Sequence, residues 1–231
     1  MMFSLWINNY LVNTILIITA FLALLLVIFP ELDVSFSELF FSIEKNSFIY
    51  KKKFLVYQIY KLLPWLTKLF VLVCVIYLVY ITIKYRSLKK IIRSGVFFLF
   101  ITAIVSPGLI VNEGFKENFG RARPNQIEEF NGTKDFTRAF KISNQCEHNC
   151  SFSSGHAAMG YFFSAIAYTT SLLYFNRIYI AGVVFGSIVG LSRIMMGGHF
   201  LSDVVVSAFI VLFFNHIIFI LWQMLLRNLK K

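Results

Sequence analysis

The chain has 231 residues, 58% of them apolar and 14% charged, with a mean hydropathy of +0.73. Ordinary soluble domains carry about 25% charged and 45–50% apolar residues, so this composition excludes one, and it excludes coiled coil, collagen and intrinsic disorder as well. The net charge of +11, from 22 basic and 11 acidic residues, would by itself suit nucleic acid, but its placement along the chain argues otherwise.

The first 30 residues carry no charge, and their core, 11–29, is nearly all aliphatic. A helix needs about 20 apolar residues to cross the hydrocarbon layer. A signal peptide fits poorly, because there is no basic leader and no small-residue cleavage site after the apolar run. A second span is predicted over 69–83, extended back past Lys68 to Leu62. A third covers 94–112 and is interrupted near its end by Pro107 and Gly108. A fourth, rich in Ala, Tyr and Phe, covers 156–176. The fifth, 178–192, reaches crossing length only by continuing to about Gly198, which sets Arg193 near one membrane surface. The sixth covers 204–226 and contains His216. Backbone polar groups in lipid must be paired internally, and these runs lack the alternation of a barrel strand. The expected fold class is therefore all-α: a polytopic bundle of six transmembrane helices in a single integral membrane domain, 1–231, with both termini on one side.

Sorting the charges by side orients the bundle. Lys84, Arg86, Lys89, Lys90 and Arg93 follow span two, Arg177 separates spans four and five, and Arg227, Lys230 and Lys231 end the chain. That side has nine basic residues and no acid, so the positive-inside rule makes it cytoplasmic. Segments of about 31–61 and 113–155 then face outward. Attraction to anionic lipid suffices to explain the inner basic cluster, and no nucleic-acid partner is expected.

Of the three cysteines, Cys74 lies within span two and reads as a small buried hydrophobe. Cys146 and Cys150 lie four apart in an outer segment. A disulfide, free thiols, or a metal shared with His148 all fit that spacing, although three ligands so close without a fourth make a poor zinc site.

Three polar clusters fall at the outward ends of spans: Lys116 to Pro124, Ser151 to His156, and Ser192 to Asp203. Singly, each has a plain structural reading, such as a snorkelling Lys116–Arg123 pair, an interfacial His156 or an N-cap at Ser154-Gly155. Topology brings all three to one face. Lys116, Arg123 and Arg193 suit an anion with several oxygens, above all phosphate. Ser154 and the Gly155 N–H, at a helix start, favour the same anion. His199 and Asp203 are four apart, which on a helix puts them on one face. The carboxylate could then hold one ring nitrogen and leave the other as nucleophile. His156 is free to serve as general acid. This arrangement fits phosphoryl transfer through a phosphohistidine intermediate, with Lys and Arg balancing the transition-state charge. Glu113, Glu117, Glu128 and Glu129 lack metal-ligand spacing, so neither a metal nor another cofactor is expected.

These motifs resemble those of the type 2 phosphatidic acid phosphatase (PAP2) superfamily, which includes vanadium haloperoxidases and bacterial acid phosphatases. Its signature is Lys-x6-Arg-Pro, then Pro-Ser-Gly-His, then Ser-Arg-x5-His-x3-Asp. Lys116, Arg123 and Pro124 match the first part, Ser154, Gly155 and His156 the second, and Ser192, Arg193, His199 and Asp203 the third. The signature region is thus 113–203. The resemblance implies a haloperoxidase-like helical bundle in which His199 is nucleophile, Asp203 its orienter and His156 the acid. It assigns Lys116, Arg123, Ser154, Gly155 and Arg193 to the phosphate. Ser153 departs from the usual Pro, which would preset the turn into the helix, whereas Ser keeps an N-cap option.

Residues 115–152 are also similar to the lipid A phosphatases of Gram-negative bacteria, through Gly120 to Pro124, Glu129 to Lys134 and Gln145 to Phe152. The 4'-phosphatases give the best likeness. This implies a phosphorylated membrane lipid, lipid A, as partner, and an inner-membrane enzyme with a periplasmic site. Phosphatases of the lipid A 1-position, phosphatidylglycerophosphate and undecaprenyl pyrophosphate share the same catalytic set. A lipid-phosphate binder or transporter is the reading from another class. Specificity is expected in 31–61, 125–150 and the cleft.

Overall fold

A computed structural model describes residues 9–229. Met1 to Asn8, at the start of the first charge-free run, and Lys230 and Lys231, counted among the inner cations, lie outside the described residues. Helix α1 (Tyr10–Ile28) is followed by the short α2 (Glu31–Glu38) and a two-stranded antiparallel hairpin pairing Phe41 with Phe48 and Ser42 with Ser47. Next come α3 (Phe54–Tyr85), α4 (Leu88–Arg93) and α5 (Gly95–Ala103), which runs on as a π-helix (Ile104–Lys116). After a long segment with two 3-10 turns come α6 (Gly155–Phe162), a 3-10 extension (Phe163–Thr169), α7 (Leu172–Met195) and α8 (Leu201–Asn228).

Among the described residues, five helical segments are long and apolar enough to cross a membrane: α1, α3, α5 with its π extension, α7 and α8. The chain is a predominantly helical, multi-pass membrane protein whose one small hairpin adds almost no sheet. The six-span expectation needs one adjustment. The fourth segment divides into eight α-helical and seven 3-10 residues. At about 1.5 and 2.0 Å per residue these rise roughly 26 Å, so the tighter helix recovers most of a crossing. Its neighbour α7 comes within backbone distance: a Cβ on Gly182 would lie 2.4 Å from the Ser164 nitrogen. Between membrane helices such close van der Waals approach replaces the hydrophobic drive that water supplies.

Helix α3 also departs from expectation. It starts at Phe54, runs for 32 residues through Lys61, Pro64 and Lys68, and spans about 48 Å. Charges within 54–68 interrupt the apolar run but not the helix, so α3 rises beyond the hydrocarbon layer and carries Tyr57 and Tyr60 over the polar end of the bundle. In the third span, Pro107 has no N–H to donate and crowds the preceding turn. The helix widens to π there, and Asn112 Nδ2 donates to the Pro107 carbonyl oxygen at 2.8 Å.

Helix α8 packs against α1, α6, α7 and the π-helix, and its buried side chains form the spine of the core. The outer faces of α1 and α3, with exposed Ile17, Phe21, Leu72 and Ile76, suit lipid. Long-range contacts define the two ends. Asn9 meets Asn176, Trp222 Nε1 donates to Ile92 O, and Arg93 donates to Leu229 O at the end holding the predicted inner cations. Asp33, Arg121, Ser151 and Asp203 meet at the other.

Candidate active site

The turn between α7 and α8 is the centre of the site. Gly197 adopts φ +67, and a Cβ there would strike Phe48 at 2.3 Å. Only glycine allows both the left-handed turn and this contact. Phe48, Ala122, Ile127, Phe130 and Phe200 form a small apolar cluster beneath the turn. His199 therefore sits in a packed turn, not on a helix as its spacing from Asp203 suggested. Asp203 lies in the first turn of α8.

His199 is 1% exposed. Its Nδ1 donates to the Ser151 carbonyl oxygen at 2.8 Å, while Asp203 Oδ2 stands 3.6 Å away. The expectation that the carboxylate itself holds the ring is thus refined. The carbonyl fixes the tautomer with the proton on Nδ1, and Asp203 supplies charge from just beyond hydrogen-bond range. Nε2 has no hydrogen-bond partner among the described residues and is the nitrogen left to react. Burial, helped by Arg193 and Arg123, lowers the His199 pKa to about 4 against the pull of Asp203.

Asp203 is held from four directions. Arg121 donates to Oδ1 at 2.5 Å, and Oδ2 accepts from the Ser151 hydroxyl at 2.5 Å and the Phe200 N–H at 2.8 Å. Its own backbone carbonyl accepts from Ser154 N–H at 3.2 Å. Arg121 is fully buried and forks between two carboxylates, reaching Asp33 Oδ2 at 2.8 Å and Ser202 Oγ at 2.8 Å. Asp33 in turn accepts from the Ser202 N–H at 2.7 Å and from its hydroxyl at 2.5 Å. Burial raises the Asp33 pKa, opposed by the Arg121 charge. Such charge-assisted bonds are strong where every oxygen is matched.

His156, at the start of α6, stacks on Tyr60 with ring centroids 5.0 Å apart, and its buried Nε2 has no hydrogen-bond partner among the described residues. The Arg193 guanidinium lies 4.4 Å from the centre of the same Tyr60 ring. Lys116, Arg193 and His199 are all close enough to act electrostatically on His156. Arg123 is tied by its guanidinium to the Asn149 carbonyl at 2.6 Å. Burial lowers its pKa, while Tyr60 and Asp203 oppose the shift, and as an arginine it stays charged.

The Ser154 hydroxyl caps α6, accepting from Ala157 N–H at 3.4 Å and leaving its own proton available. The expected capping option of Ser153 is not used, and that hydroxyl is buried without a partner among the described residues. A Cβ on Gly155 would lie 2.4 Å from Asn112 Oδ1, so the bare glycine lets the π-helix approach this turn. A cavity of about 340 Å³ opens beside Arg123, Arg193, Gly198 and Tyr60. Cys146 and Cys150 are joined as a disulfide in the segment that supplies Asn149 and Ser151.

All eight expected site residues thus lie in or around one polar end of the bundle. The sequence reading missed Asp33, Tyr60 and the role of Arg121. Arg121 stood in the first cluster beside Arg123, but nothing local tells a buried arginine from one facing a ligand.

Imidazole nitrogens without a hydrogen-bond partner among the described residues, set beside fixed cations at the polar end of a bundle of apolar helices, are the arrangement that a membrane phosphotransfer enzyme would need. The comparisons with known proteins narrow that class. Residues 94–227 match the PAP2 superfamily. The lipid A 4'-phosphatase of Francisella tularensis subsp. novicida is 35% identical over 195 residues, covering 82% of this chain and 86% of the relative. The lipid A 4'-phosphatase of Rhizobium leguminosarum is 36% identical over 46% of each chain. A lipid A 1-phosphatase of Rhizobium etli is 36% identical over 47% of this chain and 42% of its own. No solved structure gives a significant match. The chain belongs to the PAP2 superfamily, and it is a phosphatase.

Proposed function

We propose that this single membrane domain hydrolyses the 4'-phosphate of lipid A at the outer face of the bacterial inner membrane, with both termini cytoplasmic and the site facing the periplasm. The 35% identity to a lipid A 4'-phosphatase along most of both chains carries this reading. Likeness to a 1-phosphatase extends over less than half of this chain. The separation of acid-free basic segments from the site end favours the orientation. An apolar groove of about 680 Å³ between α3 and α7, lined by Leu62, Leu66, Leu69 and Phe185, gives acyl chains a place beside the pocket.

In the proposed reaction, His199 Nε2 attacks phosphorus and the bond to the lipid oxygen breaks. His156 gives that oxygen a proton. Lys116, Arg123 and Arg193 balance the spreading negative charge, and Ser154 and the Gly155 N–H bind phosphate oxygens. Water then attacks the phosphohistidine, His156 takes its proton, and the P–N bond breaks to free phosphate and His199. The Ser151 carbonyl keeps the Nδ1 proton in place, and Asp203 stabilises the positive charge on the ring. Mass spectrometry of lipid A from a host with the bisphosphorylated form tests the reading. Expression should remove one phosphate from the distal glucosamine. Loss from the reducing-end sugar would move the assignment to the 1-position, and unchanged lipid A would refute both.

A further inference from the structure

The proposed phosphate chemistry uses Lys116, Arg123 and Arg193, yet the cavity that opens beside Arg123 and Arg193 has two further cations in its wall. Lys51 and Lys52 line it together with Tyr57 and Tyr60, and among the described residues no carboxylate does. One phosphate monoester carries at most about two negative charges, which three cations already match. Two more cations in the same cavity are surplus to a single phosphate.

Their placement is built into the fold. The Lys51 N–H donates to the Phe48 carbonyl at 3.2 Å, and the Lys53 N–H donates to Tyr50 at 3.1 Å. Phe48 is 4% exposed and is locked against Gly197 in the turn that carries His199. The backbone of the lysine turn and the His199 turn thus share one apolar anchor. Lys51 and Lys52 are exposed, so their ammonium groups remain free to meet a ligand while their backbone is held. A general attraction to anionic membrane would need no such anchoring and no shared cavity.

We infer that Lys51 and Lys52 form a second anion subsite, which binds another phosphate of the same lipid while the first is placed at His199. The inference rests on the proposed lipid phosphatase reading and deepens it: the preferred substrate class is a lipid carrying two phosphates. The subsite sets specificity by binding and takes no part in bond breaking. Its contribution therefore falls on KM and leaves kcat alone.

The test compares the full-length enzyme on lipid A bearing both phosphates with lipid A bearing only the 4'-phosphate, each in neutral detergent micelles. The wild type should show at least a tenfold lower KM for the bisphosphorylated lipid. In Lys51→Ala/Lys52→Ala that advantage should vanish, with the rate on the monophosphorylated lipid unchanged, and Lys51→Arg/Lys52→Arg should restore it. Equal KM values for both lipids in the wild type, or an equal loss on both in the alanine variant, would overturn the subsite. Hydrolysis of neither lipid would overturn the underlying reading and the subsite with it, whereas hydrolysis of both without preference would overturn the subsite alone.

Discussion

Arg121 and Asp203 form a buried ion pair of 2.5 Å that joins the segment after the third span to the first turn of α8. The other arm of the guanidinium reaches Asp33, so one cation separates two carboxylates that water does not reach. Removing one partner of such a pair leaves an uncompensated charge, which typically costs about 3–5 kcal/mol. Arg121→Met should therefore lower the thermal midpoint in detergent sharply and reduce turnover with it. Asp33→Asn should cost less, because the amide still accepts from Ser202. A midpoint for Arg121→Met within a degree of wild type would show that the network does not hold the site.

Gly155→Ala tests the contact between the π-helix and the turn that opens α6. The added methyl meets Asn112 Oδ1 at 2.4 Å. Turnover should fall by about tenfold or more, since small displacements at a reacting centre are costly. Asn112→Ala in the same chain removes the clash and should recover a substantial part of the rate. A double variant as impaired as the single one would place the fault elsewhere.

The protonation of His199 gives a third expectation. Burial sets its pKa at about 4, below the ordinary 6.5, so the neutral form prevails above about pH 5 and the nucleophile is lost only as pH falls through 4. In selectively labelled protein, the ¹⁵N-histidine resonance that His199→Ala removes should stay neutral down to about pH 5. Titration near 6.5 would contradict the buried, cation-flanked environment.

Much of this candidate site is legible in the chain, because the residues proposed to act there lie in short ordered motifs. His199 and Asp203 are four residues apart, and Ser154, Gly155 and His156 are consecutive. What escaped is pairing over distance. Asp33 and Arg121 are 88 residues apart, and Arg121 and Asp203 are 82 apart, so no local pattern marks the network. Tyr60 was hidden for another reason: Lys61 and Lys68 end the apolar run, while helix formation continues above the lipid. The break in the fourth segment escaped because apolar content measures burial and does not separate α from 3-10 winding.

The cysteine pair offers a simple check. With Cys146 and Cys150 joined, alkylation of unreduced protein should label neither, and reduction should expose both. Labelling of both before reduction would contradict the bridge.

Countercharge from Lys116, Arg123 and Arg193 should let phosphate release continue in EDTA. A strict need for an added divalent ion would show that these three cations do not carry that role.

In the proposed mechanism the free Nε2 of His199 takes the phosphoryl group. This is tested most directly by phosphate release from lipid A by purified His199→Ala, alongside lipid binding by the same variant. Release should fall by about a thousandfold or more while binding is retained, since the lost group acts only in bond making. Release at the wild-type rate would contradict it.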